Sequence, residues 1–348
     1  MHREGARKSR FAEEGAIMTK FNSTSNVFTP VIRRFVREQD SRGWPPFHKL
    51  SLEEARRRFS EVRGENFPEA PVEVEVRSFT EGVDVPFSVR FVRPAGVSEA
   101  LPVVFYFHGG GWMLGGWESH ERLVRELVAG SGCVFVFVEY TRAPEAEYPV
   151  PIKQAYAALT RVLENAGSFR IDPARVAVAG DGAGGNMAAV MTLLAHERGT
   201  PRIDLQLLFY PATDADFSTE SYHRFADGPW LTRKAMKRFW NAYCPIRAFR
   251  REIYVSPLRA RLGALAGLPP ALIVTAGNDV LRDEGEAYAR KLMRAGVGVA
   301  SVRFDGAIHD FLLLDSLRNS APASGAVAQA CALLHSKFDR RTGGSGAI

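Results

Sequence analysis

The stretch Gly180-Asp181-Gly182-Ala183-Gly184-Gly185-Asn186 decides the fold of this chain. The apolar run at residues 176–179 predicts a buried strand before it, and the apolar run that begins at Asn186 predicts a helix after it. A strand, a glycine-rich turn and a helix in this order are typical of a nucleophile elbow, in which a strained turn lifts one residue above the edge of a sheet. The residue at the apex of this turn is Gly182, which has no side chain to present.

Strands and helices alternate on both sides of this turn. Apolar runs predict the strands, and amphipathic stretches between most of them predict the helices. The predicted strands are 103–107, 134–138, 176–179, 205–209, 271–275 and 299–304, and the predicted helices are 121–129, 152–165, 186–196 and 284–295. This alternation predicts an α/β fold with a mostly parallel sheet that helices cover on both faces.

Three further zones complete the predicted organisation. Residues 72–76 and 87–92 alternate between apolar and polar types, which predicts an antiparallel pair at a sheet edge. Residues 1–70 form a helical cap segment, with a helix at 52–62 that Ser51 and Glu54 begin with a capping box. An aromatic, helical-looking insert at 212–268 interrupts the catalytic domain, which spans 71–340, and we expect both pieces to cover the strand ends. Residues 341–348 are expected to be a disordered tail.

The composition excludes several classes of protein. With 46% hydrophobic and 24% charged residues in 348, the chain has enough apolar material for one large core. The net charge of +6 includes no basic block interleaved with aromatics, so no nucleic-acid partner is expected. No apolar run reaches membrane-spanning length and the first residues are charged, so we expect no membrane insertion and a cytoplasmic location. The three cysteines lie far apart and no His/Cys cluster occurs, so neither a metal nor a cofactor is implied.

A glycine triplet follows the predicted strand 103–107, in the stretch His108-Gly109-Gly110-Gly111-Trp112. Glycines let the backbone approach a ligand closely, and their N–H groups can point at a developing oxyanion. The alternative is a glycine-rich turn with no chemical role. His108 itself is expected to support this loop through hydrogen bonds rather than to act as a base.

Asp279 and His309 each follow a predicted strand, 271–275 and 299–304 respectively. Alone, Asp279 could equally cap the next helix, as could Asp283, and a lone histidine after a strand is usually a loop residue. In sequence, however, Asp279 lies 97 residues after Gly182, and His309 lies 30 residues after Asp279. The order elbow, aspartate, histidine is the order of the catalytic groups in α/β hydrolases.

The chain resembles the bacterial hormone-sensitive-lipase-like esterases, which include relatives of arylacetamide deacetylase, over about residues 85–335. Besides the elbow, the resemblance rests on His108-Gly-Gly-Gly-Trp112, Tyr140-Thr-Arg-Ala-Pro-Glu145, Leu208-Phe-Tyr-Pro-Ala-Thr-Asp214, Ser256-Pro-Leu258 and Asp279-Val-Leu-Arg-Asp-Glu-Gly285. It implies that Asp279 and His309 are the acid and base of a catalytic triad, and that the N–H groups of Gly110, Gly111 and Ala183 form the oxyanion hole. It further implies a small-molecule ester as substrate. Because relatives often dimerise through their last strand and helix, it leaves open a homodimer through 299–304 and 324–338.

Two positions depart from the family pattern. Asp310 stands where the family often has glycine, a change interpreted as tolerated. Gly182 stands where the family has the serine nucleophile, so no acyl-enzyme can form at this position. We expect Asp181 to point away from the site, and Ser119 and Thr213 to be structural rather than substitute nucleophiles. Since an elbow apex has a positive φ that glycine adopts readily, we expect the fold to be kept.

Three hypotheses follow. The first is a carboxylesterase for short to medium acyl esters, disabled by its missing nucleophile. The second is a non-hydrolytic, dehydratase-like enzyme that uses His309 and Asp279 as a base. The third is a small-molecule binding protein, as in the plant gibberellin receptors, which resemble this family. A Gly182→Ser substitution distinguishes them, because only a disabled esterase must gain hydrolysis.

Overall fold

An eight-stranded sheet forms the centre of the computed structural model, which describes residues 27–61, 70–80 and 84–339. The predicted tail at 341–348 and the first 26 residues lie outside these ranges. The strands are β1 (Val72–Phe79), β2 (Phe87–Pro94), β3 (Leu101–Phe107), β4 (Val134–Glu139), β5 (Ile171–Asp181), β6 (Leu205–Phe209), β7 (Ala271–Asn278) and β8 (Val299–Ile308).

The strand order across the sheet is β1-β2-β4-β3-β5-β6-β7-β8. Strand β2 pairs antiparallel with both β1 and β4, and every other neighbouring pair is parallel. This confirms the predicted antiparallel pair at one edge and the predicted parallel sheet beyond it. Because β3 and β5 to β8 are parallel, their carboxyl ends share one edge of the sheet, where ligand sites of such folds lie.

The helices pack on both faces of the sheet. In the described ranges they are α1 (Pro30–Ser41), α2 (Leu52–Ser60), α3 (Trp117–Ser131), α4 (Val150–Glu164), α5 (Ala183–Arg198), α6 (Glu220–Arg224), α7 (Arg233–Tyr243), α8 (Leu262–Leu265), α9 (Arg282–Arg294) and α10 (Ala321–Phe338). Side chains of α4, α5 and α9 belong to one buried apolar cluster, and side chains of α1, α3 and α10 belong to another. The sheet separates the two clusters.

Alternation along the central strands explains these two cores. In β3, Phe105 and Phe107 contribute to the cluster with α4, α5 and α9, whereas Val104 and Tyr106 contribute to the cluster on the opposite face. All four side chains are fully buried. Successive side chains of a strand point to opposite faces, so a strand covered on both sides must be apolar at every position.

The insert at 212–268 is less helical than the sequence suggested. It holds α6, α7, α8 and two single 3₁₀ turns, and only α7 exceeds five residues. Prolines explain the difference, since Pro245 stops α7 and Pro257 begins a 3₁₀ turn. In the N-terminal segment, Ser51 and Glu54 form the predicted capping box, with the Glu54 N–H donating to Ser51 Oγ at 3.2 Å.

Candidate functional site

Gly182 joins the end of β5 directly to the start of α5. Its φ of 50° and ψ of −112° lie in a region that costs other residues strain but suits glycine. Its N–H donates to the Phe209 carbonyl at 2.9 Å, and its own carbonyl accepts from the Ala212 N–H at 3.0 Å. A Cβ built on Gly182 would lie 3.4 Å from Nε2 of His309, an ordinary van der Waals contact. The apex of the elbow therefore faces the imidazole and has room for a small side chain.

The structure brings Asp279 and His309 together. Asp279 follows β7 and His309 follows β8, and Oδ2 of the aspartate lies 2.7 Å from Nδ1 of the histidine. The other oxygen, Oδ1, accepts the Leu281 N–H at 3.0 Å, which fixes the carboxylate. The Tyr210 ring packs edge-on against the imidazole, with centroids 4.8 Å apart. Both side chains are buried, so the imidazole is held with Nε2 directed at the elbow.

Asp310 is a second carboxylate beside the imidazole. Its Oδ1 lies 3.4 Å from Nε2 of His309, and its Oδ2 accepts the indole N–H of Trp230 at 2.8 Å. The backbone of Asp310 has a φ of 62°, which turns this side chain back into the site. Burial by itself would lower the pKa of His309, but the carboxylates of Asp279 and Asp310 outweigh it and raise that pKa to about 9. The interpretation of Asp310 as merely tolerated missed this contact, although its position next to His309 was the available signal.

A small, mostly apolar cavity lies over Gly182 and His309. Its volume is about 20 Å³, enough for about one water molecule. Gly110, Gly111 and Ala183 line it, and Ala183 is the first residue of α5, where a backbone N–H has no partner within the helix. The apolar lining residues are Phe47, Phe59, Leu114, Trp230, Leu231, Met236, Phe239 and Leu281.

The cover of this cavity comes from the N-terminal segment and the insert. Phe47 and Phe59 belong to the first, and Met236 and Phe239 lie on α7 of the second. The Phe239 ring packs so closely on Gly111 that no Cβ would fit there. A ligand larger than water therefore enters only when these side chains move apart.

A buried polar network supports the glycine loop from behind. Oδ1 of Asp181 accepts the Tyr106 hydroxyl at 2.8 Å and the Gly109 N–H at 3.0 Å, and Nε2 of His120 lies 3.2 Å from the same oxygen. Asp181 is fully buried and does not line the cavity, in keeping with the prediction that it points away. No local pattern pointed to His120, because it lies 61 positions before Asp181 in the chain.

His108 lies in the same network. Its ring stacks on Tyr140 with centroids 4.3 Å apart, and its carbonyl accepts the Tyr140 hydroxyl at 2.9 Å. Burial, and next the charge of His120, lower the pKa of His108 to about 3. A neutral, buried histidine that packs behind the loop suits the supporting role expected of it.

Ser119 and Thr213 lie outside the cavity lining. The Ser119 hydroxyl donates to the Gly116 carbonyl at 3.0 Å and lies 2.8 Å from Nδ1 of His120. The Thr213 hydroxyl donates to the Glu284 carbonyl at 2.9 Å. Neither hydroxyl contacts His309 in the described structure.

Metal-ligand clusters, membrane-spanning helices and disulfides are absent from the part of the chain that the structure describes. Within 27–61, 70–80 and 84–339, no group of histidine, cysteine or carboxylate side chains could hold a metal ion. None of the helices in those ranges combines the length and apolar character that a bilayer span requires. Cys133, Cys244 and Cys331 are buried free thiols.

Comparison with known proteins agrees with this geometry. A family model described as the α/β-hydrolase fold matches residues 104–313. The chain belongs to the hormone-sensitive-lipase-like family of α/β hydrolases. Carboxylesterase NlhH of Mycobacterium tuberculosis is 40% identical over 264 residues, which cover 75% of this chain and 82% of that protein. A putative α/β hydrolase of Acanthamoeba polyphaga mimivirus is 38% identical over 292 residues, covering 84% and 83% of the two chains.

Solved structures give the same result. A thermostable esterase from Pseudomonas putida superposes with a TM-score of 0.88 at 45% identity, covering 90% of this chain and 98% of that one. A fungal esterase from Rhizomucor miehei superposes with a TM-score of 0.84 at 34% identity, covering 91% and 98%. The sheet, the elbow and the cover of this chain therefore form a carboxylesterase scaffold.

Proposed function

We propose that this chain carries the binding site and base of a carboxylic ester hydrolase for short to medium acyl esters, and that hydrolysis is strongly impaired because Gly182 occupies the position of the nucleophile. One observation carries the proposal. The apex of the elbow lies within van der Waals reach of Nε2 of His309, and Nδ1 of the same ring is bonded to Asp279. A base is thus oriented toward a position that has no hydroxyl.

The chemistry follows from placing a serine at the apex. Its hydroxyl would lie beside Nε2 of His309, which takes the proton as the oxygen attacks the ester carbonyl. Asp279 holds the imidazole and stabilises its protonated form. The N–H groups of Gly110, Gly111 and Ala183 would stabilise the negative oxygen of the tetrahedral intermediate. Water then releases the acid from the acyl-enzyme.

With glycine at the apex, no covalent intermediate forms. Removing the serine of a serine protease lowers kcat by about 10⁶-fold, and the oxyanion hole and binding groups retain roughly 10³–10⁴ over water. We expect a loss of similar size here. Ester binding needs no side chain at position 182, so it should survive once the side chains that cover the cavity move apart.

Two alternatives receive less support. A dehydratase-like enzyme would use His309 in the same neutral form as an esterase, but it has no need of an imidazole whose Nε2 is directed at the apex of the elbow. A pure binding protein has no use for a bonded aspartate–histidine pair, and this chain keeps that pair at 2.7 Å.

Hydrolysis of p-nitrophenyl acetate, butyrate and octanoate by the chain and by Gly182→Ser tests the proposal. The matched control is Gly182→Ala, which adds the same Cβ and the same backbone strain but no hydroxyl. We expect a gain of several orders of magnitude in the serine variant only. An equal rate in folded serine and alanine variants would contradict the proposal and favour one of the alternatives.

A cytoplasmic location and a homodimer remain predictions. Gel filtration with light scattering of the full chain would test the second.

A further inference from the structure

A basic cleft lies beside α7, away from the ester cavity. Its volume is about 410 Å³, within the range of small-molecule sites. The side chains that characterise it are Phe217, Lys237, Arg247, Arg250, Arg251 and Arg259. Helix α7 contributes to both sites, since Met236 and Phe239 line the ester cavity while Lys237 lines the basic cleft.

The charges of the basic cleft are poorly balanced by the protein itself. No acidic residue lines it. Arg259 is bonded to Oδ1 of Asp214 at 2.7 Å, but for Lys237, Arg247 and Arg251 no carboxylate partner occurs in the part of the chain that the structure describes. The Lys237 ammonium instead lies 5.8 Å from the centre of the Phe217 ring. Five cations therefore face one concavity with a single carboxylate against them.

Besides Asp214, which pairs with Arg259, two acidic residues adjoin the lining residues in sequence, and both form hydrogen bonds outside the basic cleft. Glu252 accepts the Tyr148 hydroxyl at 2.8 Å, and Asp216 accepts the Ser218 hydroxyl at 2.6 Å. Neither lines the basic cleft. Both carboxylates keep their charge when they accept a neutral hydroxyl, so the distinguishing feature of the basic cleft is a lining that holds five cations and no carboxylate.

Arg250 holds a guanidinium group at a fixed position in the lining of the basic cleft. Its side chain is buried, with Nε donating to the Cys244 carbonyl at 2.7 Å and an Nη donating to Oδ1 of Asn241 at 2.8 Å. Both acceptors are neutral, so the guanidinium charge is held in place without being neutralised. Burying a charge without an opposite one is unfavourable, and an anion in the basic cleft would remove that penalty.

We propose that the basic cleft binds a small molecule that carries phosphoryl groups. Four of its five cations are arginines, whose planar forks of N–H donors match phosphate oxygens in pairs. A phosphoryl group carries two negative charges and can pair with several cations at once, whereas a carboxylate carries only one negative charge. The concave shape suits a small molecule rather than an extended nucleic acid or a flat membrane surface, and the Phe217 face offers an apolar contact for the rest of it.

Isothermal titration calorimetry of the full chain with inorganic phosphate and pyrophosphate tests this proposal. The titration is done in 150 mM salt, which screens non-specific attraction between charges that are more than about 8 Å apart. The test variant is Arg247→Ala with Arg251→Ala, both exposed residues. The matched control is Arg33→Ala with Arg37→Ala on the exposed side of α1, which lowers the net charge from +6 to +4 in the same way.

We expect pyrophosphate to bind more tightly than phosphate, and the cleft variant to weaken it by about tenfold or more while the control stays within about twofold. An equal loss in both variants, or no measurable binding to the unaltered chain, would overturn the proposal. Vesicles of phosphatidylglycerol in phosphatidylcholine form the second arm. Binding to these vesicles without binding to pyrophosphate would also overturn it, and would identify a lipid headgroup as the ligand. None of these results depends on ester hydrolysis.

Discussion

An Asp310→Asn substitution would measure how strongly the Asp310 carboxylate raises the pKa of His309. In a Gly182→Ser background, Asp310→Asn removes the second carboxylate from His309 while keeping its shape and an oxygen for the Trp230 indole N–H. Asparagine also tolerates the positive φ of 62° at this position. The substitution therefore changes one charge, 3.4 Å from Nε2, with little change of packing.

The size of the effect follows from that distance. An opposite charge within about 4–6 Å shifts a pKa by about 1–3, in the direction that favours the charged form. Loss of the Asp310 carboxylate should therefore lower the pKa of His309 from about 9 by one or more. With a pKa of about 9, about 1% of the imidazole is neutral at pH 7, and each unit by which the pKa falls raises that fraction about tenfold. Since the base acts in its neutral form, kcat/KM at pH 7 should rise about tenfold or more.

The assay is the pH dependence of kcat/KM for p-nitrophenyl butyrate between pH 5.5 and 10 at constant ionic strength, which reports the pKa of the free enzyme. We expect the rising limb to move to lower pH in the double variant, and the plateau at high pH to stay within about threefold. Asp310→Asn with Gly182→Ala serves as the blank. A lower rate at every pH with an unmoved limb would refute the reasoning and make Asp310 a structural residue only.

Two further predictions concern folding stability. Folding raises the pKa of His309 from 6.5 to about 9, so the protonated imidazole contributes roughly 3 kcal/mol to the free energy of unfolding. This contribution is complete below about pH 6.5 and is lost as the pH rises through 9. Urea unfolding at pH 6 and pH 9.5 should show this loss in the chain and a smaller one in His309→Gln; equal losses would contradict it. Asp181→Asn should lower the free energy of unfolding by about 1–3 kcal/mol, because the buried carboxylate accepts bonds from Tyr106, Gly109 and His120. Tyr106→Phe, which removes one of those bonds, should lower it by less, and a stabilised Asp181→Asn would exclude the supporting role.

The fold was predictable because periodicity along the chain reports burial directly. Apolar runs marked the six central strands within a few residues, except that β5 begins five residues earlier, at Ile171. The order of the elbow, Asp279 and His309 was enough to predict that they meet, since parallel strands place their carboxyl ends at one edge. The sequence analysis overestimated the helical content of the insert. Aromatic residues suggest the apolar face of a helix even in a segment where prolines end the helices early.

Contacts between distant residues were not predictable in this way. The bond of Asp181 to His120 joins β5 to α3, and no local pattern couples two such positions. The contact of Asp310 with His309 depends on a left-handed turn that no periodicity encodes. The basic cleft draws Lys237 from α7, Arg247 from the segment after that helix and its other three arginines from two separate 3₁₀ turns, so it exists only once the insert is folded.

Under the proposed function, the structure also explains how a chain with glycine at the apex of the elbow keeps the rest of its site. The groups that hold His309 belong to β7, β8 and the turns after them, and those that hold the glycine loop belong to β3, β5 and α3. None of these hydrogen bonds uses a side chain at position 182. The backbone there has a φ of 50°, which a serine adopts at a cost and a glycine does not. Under the proposed function, glycine in place of serine would relax the elbow and remove the acyl acceptor, so stability alone would not oppose such a change.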